Sequence, residues 1–264
     1  MSISLVPGFA QRYPRTDDDE AYWRAFARHA GLAPDRHAGL APARHAGPAP
    51  DRHAGLDPAS LTLESCCTTL AEALSAEARG AGRIELCIDL SVGGITPPRQ
   101  LIRSVVDRLS IPVNILVRDA ACLDFVHDEA ALNRMESDIA FCRQSGAAGV
   151  VVGALTPDGL IDLPAMRRLM DAAGPLSVTF HRAFDVCRED PLEAVDKLIG
   201  LLCTRLLTSG MAPSAWEGRE LIARLVRHAG ERLIIMPGRG VRPDNLAALA
   251  AATAAREFHG TAIP

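Results

Sequence analysis

No stretch of this chain approaches the roughly 18 consecutive apolar residues that a membrane-spanning helix needs, so a transmembrane role is not expected. The opening MSISLVPGFAQRYPRT lacks a basic segment followed by a long apolar core, and so does not read as a secretory signal. A basic excess is lacking too: 28 Lys and Arg face 32 Asp and Glu, a formal charge of -4. Nucleic-acid binding usually calls for a clustered basic face, and none is expected here. There is no CxxC, and the seven cysteines are an odd number scattered along the chain. That usage suits reduced thiols better than a disulfide framework, and with the missing leader it points to a cytosolic protein.

What remains is a chain of 264 residues, 48% hydrophobic, able to bury a full core as one barrel or two small domains. Residues 28–59 hold four copies of an octapeptide, RHAGLAPD, RHAGLAPA, RHAGPAPD and RHAGLDPA. Each copy carries a glycine and a proline, which break helices and strands alike, so an extended linker is expected. His29, His37, His45 and His53 recur at constant spacing, open to a metal-binding reading or to simple repeat expansion. Ahead of them, Asp17 to Arg28 has the acidic start of a short amphipathic helix. The chain therefore divides into an N-terminal extension, residues 1–59, and a folded domain, residues 60–264.

In that second part apolar runs alternate with helical patterns. Strands are expected near 61–67, 82–88, 111–118, 148–153, 176–181, 203–208, 232–236 and 255–259. Helices are expected near 68–79, 98–109, 129–145, 163–173, 191–201, 214–229 and 243–253. Eight strands separated by helices make an α/β fold, a TIM (β/α)8-type barrel, because each parallel crossover needs a covering helix. A doubly wound open sheet is the alternative. The sequence stops soon after the eighth strand, so the final C-terminal helix is expected to be missing; the Asp17–Arg28 segment offers one cover for that side.

Strand parity selects the candidate site residues. Glu64 and Cys66 share a face in the first strand, as do Arg83, Glu85 and Cys87 in the second. The apolar faces must meet the helices, so these polar sets should point inward, with Asn114, Arg118, Ser177, Thr179 and His181. They form either a buried network that fixes the barrel or a substrate or metal site. Cys66 and Cys87, on neighbouring strands at similar heights, suit a soft ion such as Cu(I), or are two ordinary buried cysteines. SVTFHRAFD, residues 177–185, delivers His181, Arg182 and Asp185 at a strand exit, where barrel enzymes keep their chemistry. His181 is a candidate acid or base, oriented by Asp185 or an inward glutamate. Gly210, Gly238, Gly240 and Gly260 follow the sixth, seventh and eighth strands, as phosphate-binding backbone or as turn chemistry.

LESCC, RIELCIDLSVGGITP, GVVVGALTPDGLID, AGPLSVTFHRAFD, LLTSG, IIMPGRGV and EFHGTA together resemble the copper homeostasis protein CutC family, in order and at suitable spacing from about Leu61 to Ala262. The resemblance implies a TIM barrel, a cytosolic location, a role in copper handling with Cys66 and Cys87 as Cu(I) ligands, and a homodimer. Two departures stand out. Relatives usually carry Arg-Pro-Arg-Gly-Gly-Asp-Phe after the third strand, where RDAACLDF keeps only Arg118, Asp124 and Phe125; and Arg239 replaces a common glycine. The leading expectation is a Cu(I)-binding protein. The alternatives are an enzyme acting on a small phosphorylated metabolite through Glu64, Glu85, His181, Arg182 and Asp185, and an inactive barrel.

Overall fold

The computed structural model describes residues 61–119 and 124–261. The expectations for the octapeptide repeat, for the Asp17–Arg28 helix and for anything beyond the eighth strand lie outside those residues. Within them all eight expected strands form: β1 Thr62–Cys67, β2 Arg83–Leu86, β3 Val113–Leu116, β4 Gly149–Val152, β5 Ser177–Phe180, β6 Arg205–Thr208, β7 Ile234–Pro237 and β8 Glu257–Gly260. Every pairing is parallel, in the order β7-β6-β5-β4-β3-β2-β1-β8. The first and last strands are thus hydrogen-bonded, and β7 comes against β8 at the seam. A Cβ placed on Gly238 would lie 3.5 Å from that of His259.

Among the described residues seven α-helices cover the barrel: α1 Leu70–Ala78, α2 Arg99–Val106, α3 Glu129–Gln144, α4 Leu163–Ala173, α5 Pro191–Gly200, α6 Arg219–Ala229 and α7 Leu246–Thr253. Their starts are written in the sequence. Thr69, Asp128, Asp162 and Asp190 each accept a backbone N–H of the first turn, and proline occupies the first turn of α4 and α5. Leu132, Met135, Ile139 and Cys142 bury one stripe of α3 at helical spacing. Two helices begin later than their patterns suggest. Residues 215–218 form a turn before α6, held by Ser214, whose hydroxyl donates to Glu217. Asn245 likewise closes a turn before α7 by accepting from the Arg242 N–H.

The strands of β2, β3 and β4 are buried along their whole length. Apolar side chains such as Ile84, Leu86, Ile115 and Val150 face the helices, leaving the opposite parity for the interior. Gly149 makes room there: a Cβ on it would meet Asn114 Oδ1 at 2.6 Å. Among the described residues no helix is long and apolar enough to cross a membrane.

Candidate functional site

The ladder itself assembles the polar interior. Glu64 stands opposite Arg83 on β2 and His259 on β8, and Cys66 stands opposite Glu85. Side chains at paired positions on one face of a sheet touch, and these do. Arg83 Nε donates to Glu64 Oε2 at 2.5 Å, and its Nη2 reaches Glu257 at 2.7 Å, which Arg205 also meets. Asn114 Nδ2 donates to Glu64 at 3.2 Å. His259 Nδ1 lies 2.9 Å from Glu64 Oε1, and its Nε2 lies 4.0 Å from Glu85 Oε1. A carboxylate can only accept, so Nδ1 carries the proton in that pair and Nε2 is the atom turned toward Glu85.

These contacts set the charges. Burial alone would raise the Glu64 pKa, but the His259 hydrogen bond and the Arg83 charge outweigh it and hold the carboxyl at about 2. Burial opposes a charge on His259, yet Glu85 and Glu64 outweigh it and raise its pKa. Glu85 is pushed up by burial, with His259 opposing. One Glu85 carboxyl oxygen, Oε2, is buried without a hydrogen-bond partner among the described residues. Glu64, Glu85 and His259 each bring a ligand-capable atom within 4.8 Å of the others, as do Cys66, Glu85 and Cys87.

The sulfurs of Cys66 and Cys87 are 3.5 Å apart and buried. Metal–thiolate bonds of about 2.3 Å let one ion reach both. The Cys66 thiol is held well above its ordinary pKa by its hydrogen bond to Cys87, by burial and by the nearby Glu85 charge. Cys67 points the other way, with its Sγ 3.9 Å from Ser65 Oγ, as alternation requires. It lines a groove of about 460 Å³ together with Glu72 and Ser75 of α1 and Arg79 just beyond that helix. Cys66 lines the groove as well, whereas Glu85, Cys87 and His259 do not.

The second group of candidates lies at the exit of β5. His181 packs beside Phe125 and is held neutral, its pKa far below the usual value through burial and the Arg118 charge. Asp185 does not orient it. That carboxylate pairs with Arg182 at 2.8 Å and accepts from Thr208 Oγ1, Ser209 N, Ser209 Oγ and Met211 N. It organises the turn after β6, where backbone amides gather around the protein's own anion. The Gly210 N–H goes to Thr208 Oγ1 and the Gly238 N–H to the Thr208 carbonyl, so neither amide is presented to a ligand. Gly210 and Gly240 both have a φ of +71°, which explains glycine there as turn chemistry. Gly260 pairs with Ser65 in the β1–β8 ladder.

His259 belongs to the cluster with Glu64 and Glu85 but not to the residues that the sequence singles out. Its signal was available in EFHGTA: alternation from the buried Phe258 puts the histidine on the inward face of the last strand.

The sequence profile of the CutC family matches residues 61–264. A CutC family protein from Xanthomonas campestris pv. campestris strain 8004 is 50% identical over 200 residues, which are 76% of this chain and 82% of that protein. Its counterpart from Parabacteroides distasonis is 47% identical over 201 residues, again 76% and 82% of the two chains. Among solved structures, that of the candidate copper homeostasis protein CutC of Streptococcus agalactiae superposes with a TM-score of 0.74 at 31% identity, covering 77% of this chain and all of that one.

Proposed function

The chain belongs to the CutC family, and on that premise we propose that it takes part in copper homeostasis by holding Cu(I) between the thiols of Cys66 and Cys87. The observation that carries this reading is the 3.5 Å approach of two buried sulfurs, one on β1 and one at the exit of the neighbouring β2. Soft thiolates select Cu(I) over harder ions. Binding must displace the thiol protons, and the charge of the ion offsets the burial and the Glu85 charge that oppose a thiolate at Cys66. A cytosolic location belongs to the same reading and is supported by six described cysteines, all free thiols. So does a homodimer, which sedimentation would reveal as a species near twice the 28.1 kDa chain mass. Titration of Cu(I) against a competing chelator tests the site. The parent protein should win copper from the chelator, and Cys66→Ser/Cys87→Ser should not; equal affinities would remove the site.

A second reading, an enzyme acting on a small phosphorylated metabolite, is favoured by the Glu64–His259 pair. A histidine whose Nδ1 proton is fixed by a buried carboxylate, with Nε2 toward a second carboxyl, is equipped to move a proton. Two-coordinate copper has no use for it. A metabolite that binds only the folded chain must raise the melting temperature. A thermal-shift screen should find one whose effect is lost in His259→Asn; no such compound among phosphorylated metabolites argues against this reading.

A further inference from the structure

His181 leaves β5 with its ring in a fixed pose. A Cβ on Gly153 would lie 2.5 Å from His181 Nδ1, so glycine at 153 is what leaves room for the imidazole. The Phe125 ring lies 4.9 Å away, centroid to centroid. Nδ1 accepts a hydrogen bond from the Ala183 N–H at 3.2 Å. A ring nitrogen that accepts carries no proton, so the proton of this neutral imidazole sits on Nε2. That N–H is buried and has no hydrogen-bond partner among the described residues, in a residue only 5% exposed. Buried donors are rarely left unmet, because the lost water is not replaced.

The surroundings define what the donor can receive. Arg118 donates to the carbonyls of Val92 and Gly94 and stacks 4.6 Å over Phe125, beside the histidine. Arg182 follows His181 directly in the chain and is bridged to Asp185. The charges of both arginines bear on the imidazole and help keep it neutral. A neutral N–H donor near two guanidiniums repels a cation and suits an oxygen with negative charge. The same place is the C-terminal end of β5, the face on which barrel proteins bind small molecules.

We propose that His181 Nε2–H donates a hydrogen bond to an anionic oxygen of a small ligand, a carboxylate or phosphate group, bound at the barrel mouth beside Arg118 and Arg182. This deepens the enzyme reading, on which it rests for the nature of the ligand, and it makes His181 a binding donor in place of an acid or base. It does not involve the thiol pair, which lies on β1 and just past the end of β2.

Long-range proton–nitrogen correlation spectra of the 15N-histidine-labelled protein, with His181 assigned through His181→Phe, read the atom directly. The expected spectrum shows the Nε2–H tautomer, and its resonance moves saturably on addition of inorganic phosphate or oxalate. The anion that saturates at lower concentration identifies the ligand class. In His181→Phe the affinity for that anion, measured by calorimetry, should fall roughly tenfold to hundredfold, while Cys66→Ser/Cys87→Ser should keep it. An Nδ1–H tautomer overturns the proposal, as does a resonance unmoved by both anions, which would leave only water at the donor. The spectrum of the unsubstituted protein decides even if His181→Phe does not fold. A His259-dependent thermal shift without any response at His181 would sink this inference and leave the enzyme reading standing.

Discussion

Glu64→Gln removes one negative charge from the centre of the barrel and should be among the most damaging isosteric changes available. The carboxyl is fully buried and touches Arg83, Asn114 and His259. Its pKa falls from an ordinary 4.5 to about 2 on folding. At about 1.4 kcal/mol per pH unit that gap amounts to about 3 kcal/mol of stability at neutral pH. Removing one partner of a buried ion pair costs about 3–5 kcal/mol by a separate route; Arg83 keeps Glu257 at 2.7 Å, which argues for the lower end. The two estimates agree. For a domain of this size the melting temperature should drop by about 6–12 °C. A depressed carboxyl pKa gives stability that is present above the unfolded value and is lost as pH falls through the folded one. The parent should therefore lose this contribution between pH 4.5 and about 2, and the glutamine variant should lack that part of its acid limb. Urea unfolding across a pH series measures both effects. Equal midpoints at neutral pH, with superimposable acid limbs, would refute the reasoning.

The raised pKa of His259 runs the other way: its contribution is complete below the ordinary 6.5 and disappears as pH rises through the folded value. Histidine NMR should show His259 titrating above 6.5, with stability declining over the same range; titration below it would contradict the ion pair with Glu64. Gly153→Ala should force the His181 ring off its seat and destabilise the fold by about 1–3 kcal/mol, read as a lowered melting temperature; a neutral outcome would mean the ring is not held by that contact. Asp185→Ala strands the N–H groups of Ser209 and Met211 and takes from Arg182 its carboxylate partner, so urea unfolding should show a loss of about 3–5 kcal/mol. Burial pushes Cys142 and Cys203 up to about 12, so a disulfide reagent near neutral pH should label them far more slowly in the native protein than in urea; equal rates would show that the thiols are accessible.

The barrel was legible because its grammar is local. Alternation marked the eight strands and helical spacing the segments between them, so order and parity could be read from residues such as Glu64, Glu85 and Asn114. Parity alone also puts Cys66 and Cys87 on one face. What alternation could not supply was register. Only the pairing of β1 with β8 tells that His259 stands opposite Glu64, and residues so far apart in sequence carry no mark of meeting. The role of Asp185 was obscured for a similar reason. Its neighbours in sequence are His181 and Arg182, but four of its contacts come from the last residue of β6 and the turn after it.

The meeting of Glu64 with His259 spans 195 residues of chain, and that of Arg83 with Glu257 spans 174. During synthesis at about 5–20 residues per second, roughly 10–40 seconds separate the emergence of Glu64 from that of its histidine. Over that interval a carboxylate destined for complete burial can be served only by water or by Arg83 and Asn114. The polar interior is thus among the last parts of the molecule to be completed, and the open edge of β1 is exposed until β8 arrives. A cell making this protein would depend on chaperones most before residue 257 leaves the ribosome, and ribosome-bound chains halted on either side of that point should differ sharply in resistance to protease.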